Sequence, residues 1–192
     1  MPDRAETPAV EPGRLIVVVG PSGVGKDSLL AAARGRLSGR DGLMLVRRTI
    51  TRPETGDAEA HLPMSLAGFE AAEKQGAFAF TWRAHGLAYG LPAALDAHLD
   101  AGRPALVNGS RKMLAAMAER FPGLAVVSVT ASPEAVAARL AARGRETPEE
   151  IAARIARAAE IPAVAPVVTV DNSGPLTRTV EDFITAIEEL LV

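Results

Sequence analysis

The 192-residue chain contains no cysteine, which excludes a disulfide framework and any thiolate metal site. A chain without thiols suits any redox compartment, so that absence says nothing of location. No run approaches the roughly 18 apolar residues of a membrane helix, and the N-terminus lacks a charged-then-apolar signal pattern. The expectation is a cytoplasmic protein with no membrane partner. Nor is there an excess of one charge: 21 basic against 23 acidic residues leave a net charge of -2, without the electrostatic footprint of a nucleic-acid binder. Aromatic residues make up only 4%. Phe80 and Trp82, two of those few, are therefore read as core on a strand and not as a stacking surface.

What is present is an ordinary globular composition, 48% hydrophobic and 23% charged, in a length that suits one domain with an insertion. Residues 1–13 begin with a proline-rich, acidic stretch that reads as a flexible tail. The rest, 14–192, is expected to be a single domain.

That domain is organised around Gly20, Pro21, Ser22, Gly23, Val24, Gly25, Lys26, Asp27 and Ser28. A valine-rich run precedes this stretch and helix-favouring residues follow it. In that context G-x-x-x-x-G-K forms a phosphate-cradling loop: glycines bring backbone N–H groups close to the ligand, and the helix start adds partial positive charge. Lys26 would reach the β- and γ-phosphates of a nucleotide. One position departs from the pattern. Where a Ser or Thr normally meets Mg²⁺ stands Asp27, with Ser28 next. Either Asp27 now serves the metal, or it caps the helix while Ser28 or water serves it.

Further strands are expected near Leu43 to Val46, Ala105 to Val107, Ala125 to Thr130 and Val167 to Val170. Alternating with helices, they predict an α/β fold with a parallel five-stranded sheet covered on both faces. Ser65 should cap a helix from Leu66 to Lys74, and Ser132-Pro133-Glu134 and Thr147-Pro148-Glu149 are helix starts. Ala84 to Gly90 reads as a turn, and a closing helix runs from Val180 to Leu191.

Arginines gather in two places. Arg47, Arg48 and Arg52 follow the second strand. Arg139 and Arg143 lie four apart on one helix, with Arg154 and Arg157 on the next. Like charges at that spacing repel unless an anion lies between them, which suggests a lid over transferring phosphates. No histidine is placed by a motif to act as a base; His61 and His85 are candidates, and His98 lies on a helix that reads as surface.

From the Gly20 loop through Thr51-Arg52, Gly76-Ala-Phe78, Tyr89-Gly90 and Arg139-Leu-x-x-Arg143-Gly to Val170-Asp-Asn172, the chain resembles guanylate kinase-like P-loop kinases. That resemblance implies ATP and Mg²⁺, an acceptor-binding insertion over 47–90 and a lid over 139–157. By it Lys26, Arg139, Arg143 and Arg154 would be catalytic, Arg48, Arg52 and Tyr89 would hold the acceptor, and Asn172 would lie beside the adenine. The guanine-reading glutamate and hydroxyl of such kinases are replaced by Phe80 and Leu91. Losing both would leave the base's polar edge unpaired. The acidic motif after the third core strand is likewise replaced, by Asn108-Gly-Ser110-Arg111.

Jointly, G-K-D-S, R-R-x-I-T-R-P, His85-Gly-Leu-x-Tyr-Gly90 and N-G-S-R resemble the ribose 1,5-bisphosphate phosphokinase branch. The implied acceptor is a small sugar phosphate, met by a base-blind pocket of Arg47, Arg48, Arg52, Arg83, Ser110 and Arg111. An ionised phosphate acceptor needs no general base. A nucleoside monophosphate kinase and a non-catalytic binding module of the same fold are the competing readings. A homodimer is left open.

Overall fold

The computed structural model describes residues 11–40, 42–53, 61–143, 147 and 161–191. Five strands, β1 (Leu15–Val19), β2 (Met44–Leu45), β7 (Ala105–Asn108), β8 (Leu124–Thr130) and β9 (Val167–Asp171), form one parallel sheet in the order β2-β7-β1-β8-β9. The α/β architecture expected of the sequence is present.

The central strand explains why both faces are covered. All five β1 residues are buried, and alternate side chains point to opposite faces. Ile16 and Val18 pack with Leu29, Ala33 and Leu37 of α1 (Lys26–Leu37), Val136 and Leu140 of α5 (Pro133–Arg143), and Phe183, Ile184 and Ile187 of α6 (Leu176–Leu191). Leu15, Val17 and Val19 pack with Leu95 and Leu99 of α3 (Ala94–Asp100) and Leu114 and Met117 of α4 (Leu114–Arg120).

Between β2 and α3 the chain builds a second sheet in the order β4-β3-β6-β5, from β3 (Thr49–Ile50), β4 (Leu62–Pro63), β5 (Phe78–Ala84) and β6 (Leu87–Pro92). α2 (Leu66–Lys74) starts where expected: the Ser65 side chain accepts from the Gly68 N–H. The stretch read as a turn over Ala84 to Gly90 is instead a tight hairpin. His85 and Gly86 both take positive φ, 52° and 72°, the two-residue turn that matches strand twist, so pairing resumes at Leu87.

Three other expectations are corrected. Gly13, placed in the tail, is buried and donates its N–H to Leu99 O at 2.7 Å. α6 begins at Leu176, four residues early, because Pro175 O accepts the N–H groups of Arg178 and Thr179 and starts the helix. His98 is buried, with Nε2 2.9 Å from Pro104 O, because the α3 face that carries it turns towards the chain leading into β7. The helix start at Pro148 and most of the expected lid lie outside the described residues.

Replacing Phe183, which is fully buried, by alanine should cost about 3–5 kcal/mol in urea unfolding. Glu181→Ala removes an exposed pair between α6 and Arg36 of α1 and should cost less than about 1 kcal/mol.

Candidate active site

The site sits where β1 and β7 end. Gly25 caps α1 with φ 90°, a conformation that side chains rarely adopt. A Cβ there would also lie 2.6 Å from the Asn172 Nδ2. Leu29 N–H donates to Gly25 O at 3.0 Å, so helical bonding begins within the loop itself. Lys26 Nζ donates to Gly20 O at 2.9 Å and Pro21 O at 3.0 Å.

Asp27 and Ser28 follow in the first turn of α1, both half-buried. Asn108, the last residue of β7, donates Nδ2 to Asp27 Oδ1 at 2.7 Å. Asp27, Asn108 and Arg48 line one cleft, whose apolar walls include Leu30, Leu45 and Leu106.

The electrostatics are dominated by buried cations. Burial pushes the Lys26 ammonium from 10.5 down to about 8; the Asp27 carboxylate opposes this, and the charges of Arg48 and Arg111 add to it. Arg48 is only 9% exposed. Burial lowers its guanidinium to about 10, with Asp27 and Tyr89 opposing and Arg52 reinforcing the shift. Burial also lowers Arg111, at the head of a 3₁₀ turn over Arg111–Met113 directly after Ser110. Lys26, Arg48 and Arg111, from three separate segments, thus share one neighbourhood in which Asp27 is the countercharge that acts on both Lys26 and Arg48.

The hairpin supplies the wall. Trp82 and Tyr89 are cross-strand partners whose rings stack at 5.0 Å and 5°, and the Arg48 guanidinium lies 5.6 Å from the Tyr89 ring centre. Phe80 packs against Trp82 and Phe121, in keeping with the core reading for both aromatics.

Not every expected residue joins this group. Arg83 is turned away: strand alternation puts it on the other face of the hairpin, where it pairs with Glu73 at 2.7 Å and lies over Phe69. Arg47 is exposed and donates to His61 O at 3.1 Å. His61 is buried with its Nε2 3.2 Å from Arg52 O, and His85 occupies the hairpin tip.

On the opposite flank, Arg139 Nη1 donates to Val24 O at 3.2 Å and Nη2 to Asn172 O at 2.6 Å. Asn172 is buried and donates Nδ2 to Val24 O at 2.7 Å. Arg139 and Asn172 therefore tie the phosphate loop to the loop after β9. Arg143 ends α5, and Arg154 lies outside the described residues. Asn108 was missed as a site residue. Its signal in the sequence was indirect, an amide at a strand end where the resemblance to guanylate kinase-like proteins implies an acid.

No protein-family model matches the chain. It is 45% identical over 182 residues to ribose 1,5-bisphosphate phosphokinase PhnN of Rhizobium etli, covering 94% of this chain and 92% of that protein. It is 49% identical over 170 residues to the protein of that name from Pseudomonas paraeruginosa, covering 88% and 91%. The guanylate kinase of Anaplasma phagocytophilum superposes with a TM-score of 0.62 at 16% identity, over 93% of this chain and 86% of that one, which shows the shared fold.

The lowered Lys26 value predicts proton uptake on nucleotide binding. Between about 8 and 10.5 the unfolded chain holds a proton that the folded chain lacks, so ligand-free stability rises with pH there. Bound phosphates favour the charged lysine, so ATP should bind with proton uptake at pH 8.5 and more weakly as pH rises further. Calorimetry in two buffers of different ionisation enthalpy reads the uptake, and Lys26→Met should abolish it.

Proposed function

The chain belongs to the ribose 1,5-bisphosphate phosphokinase family, and we propose that it transfers the γ-phosphoryl group of ATP to the 1-phosphate of ribose 1,5-bisphosphate, giving 5-phosphoribosyl 1-diphosphate and ADP. The observation that carries this reading is the meeting of Lys26, Arg48 and Arg111 around Asp27, where burial, reinforced by the charges of Arg48 and Arg111, brings Lys26 down to about 8. Clustered, partly desolvated cations are costly alone and become favourable when phosphate dianions enter. An acceptor with two phosphates and no base suits such a pocket. Its aromatic wall is already stacked upon itself and capped by Arg48.

In the reaction an oxygen of the 1-phosphate attacks the γ-phosphorus of ATP while the bond to the ADP oxygen breaks. The attacking oxygen is already ionised near neutral pH, so no proton has to be removed. Lys26 and the loop N–H groups hold the donor phosphates, and Arg48, Arg52, Tyr89, Ser110 and Arg111 hold the acceptor. Arg139, Arg143 and Arg154 belong to the lid that neutralises charge on the transferring group.

The described residues contain no cluster of three or more acidic or histidine ligands. Mg²⁺ is instead expected to take one or two protein oxygens and complete its shell with phosphates and water. Asp27 and Ser28 suit that role, since the carboxylate is half-buried in the first turn of α1 beside Lys26. Bound there, the ion would supply neutralisation of charge on the nucleotide phosphates. No described helix is long and apolar enough to cross a membrane.

ADP release measured with ribose 1,5-bisphosphate, ribose 5-phosphate, GMP, AMP and no acceptor tests the assignment. Turnover should require ribose 1,5-bisphosphate, and turnover with GMP but not the bisphosphate would overturn it. Arg48→Ala should raise KM for the bisphosphate at least about tenfold, by loss of a charge-assisted contact, while leaving KM for ATP within about twofold.

A further inference from the structure

Asn108 opens the stretch whose Ser110 and Arg111 are assigned to the acceptor, yet its own side chain makes the one hydrogen bond to the Asp27 carboxylate among the described residues. The two residues are 81 apart in the chain and 2.7 Å apart in space. Their meeting is enforced by the sheet. Parallel pairing sets Asn108 beside Val18, and Gly109 N–H donates to Val18 O at 2.8 Å. A Cβ at Gly109 would come within 2.2 Å of Val17 Cγ1, so the chain here approaches β1 more closely than any other residue type allows. The end of β7 is thus a rigid support for the amide.

The chemistry of position 108 is narrow. A carboxylate there would face Asp27 at hydrogen-bond distance, and one of the pair would have to keep a proton. A lysine or arginine would cancel the Asp27 charge. A neutral amide donor is the side chain that orients a carboxylate while leaving it anionic, and it occupies Oδ1 alone. In a site that already holds Lys26, Arg48 and Arg111, an unanchored Asp27 could turn to pair with Lys26 or Arg48, the cations on which its charge acts.

We propose that Asn108 is a positioning residue: its amide holds Asp27 Oδ1 so that the other carboxylate oxygen is presented to the nucleotide-bound divalent cation instead of pairing with the neighbouring cations. This deepens the reading above and rests on Asp27 serving the metal, but it does not depend on which acceptor is used. Outer groups that orient a metal-binding carboxylate typically matter tenfold or more to metal affinity.

The test uses the whole chain loaded with ATP and no acceptor, with Mn²⁺ as the probe, its binding read by electron paramagnetic resonance. Asp27→Asn keeps the shape and removes the charge, and should weaken Mn²⁺ about tenfold or more while ATP measured in chelator binds no more weakly than before, since a negative charge beside the phosphates is lost. Asn108→Ala should weaken Mn²⁺ about tenfold, again with no loss of metal-free ATP binding. The Asp27→Asn/Asn108→Ala double variant should be no weaker than Asp27→Asn alone, because Asn108 acts through Asp27.

Additive losses, or an Asn108→Ala affinity within twofold of the parent, would overturn the inference. No Mn²⁺ effect in Asp27→Asn would overturn the metal reading beneath it, and the acceptor panel would stand untouched by either result. If Asn108→Ala lowers the melting temperature too far for measurement, Asn108→Leu, which fills the same space without a donor, takes its place under the same criteria.

Discussion

The constraint on which the site depends is the confinement of several positive charges at the end of a fully buried strand. Lys26 cannot retreat to solvent, because it follows the glycine turn that closes β1. Its pKa of about 8 reflects the strain: a depression from 10.5 is on the order of 3 kcal/mol of unfavourable charging. Arg48 and Arg111 arrive from other segments and add to that cost. Asp27 offsets part of it, and a phosphate-bearing ligand would offset the rest. The ligand-free protein therefore holds an electrostatic imbalance that a polyanion relieves.

The fold sustains this imbalance with ordinary means elsewhere. β1 is clamped between two apolar layers, one with α1, α5 and α6 and one with α3 and α4. Both layers reach the strand's end, with Val18 in one and Val19 in the other, and Val24 of the loop that follows packs into the first. Backbone carbonyls are also recruited: Gly20 and Pro21 accept from Lys26, and Val24 accepts from both Arg139 and Asn172. A cation such as Arg139 can thus serve the architecture of the loop as well as the charge of a ligand.

The candidate site is divided between the two sheets. The parallel sheet contributes Lys26, Asp27, Asn108 and Arg111 at its strand ends, while the smaller sheet contributes the Trp82 and Tyr89 stack beneath Arg48. Strand alternation makes the division sharp. Trp82 and Arg83 are adjacent in the chain and point to opposite faces, so one joins the wall and the other pairs with Glu73 on the far side.

Much of this was legible in the sequence because its causes are local. The glycine spacing before Lys26, the valine run of β1, the Ser65 cap and the Ser132-Pro133-Glu134 start each act within a few residues, and each appears where expected. The hairpin at His85-Gly86 was hidden, since positive φ at a histidine has no strong signature. Arg83 and His98 were misplaced because exposure depends on which face meets a neighbour, and only packing decides that. The sequence by itself determined the kinds of groups available: a lysine loop, an aspartate where a hydroxyl is usual, and an amide where an acid is usual. Only the tertiary structure decided that the last two are one feature. Parallel pairing of β7 with β1 brings the ends of two strands together, and contact across 81 residues has no periodicity for a sequence to display.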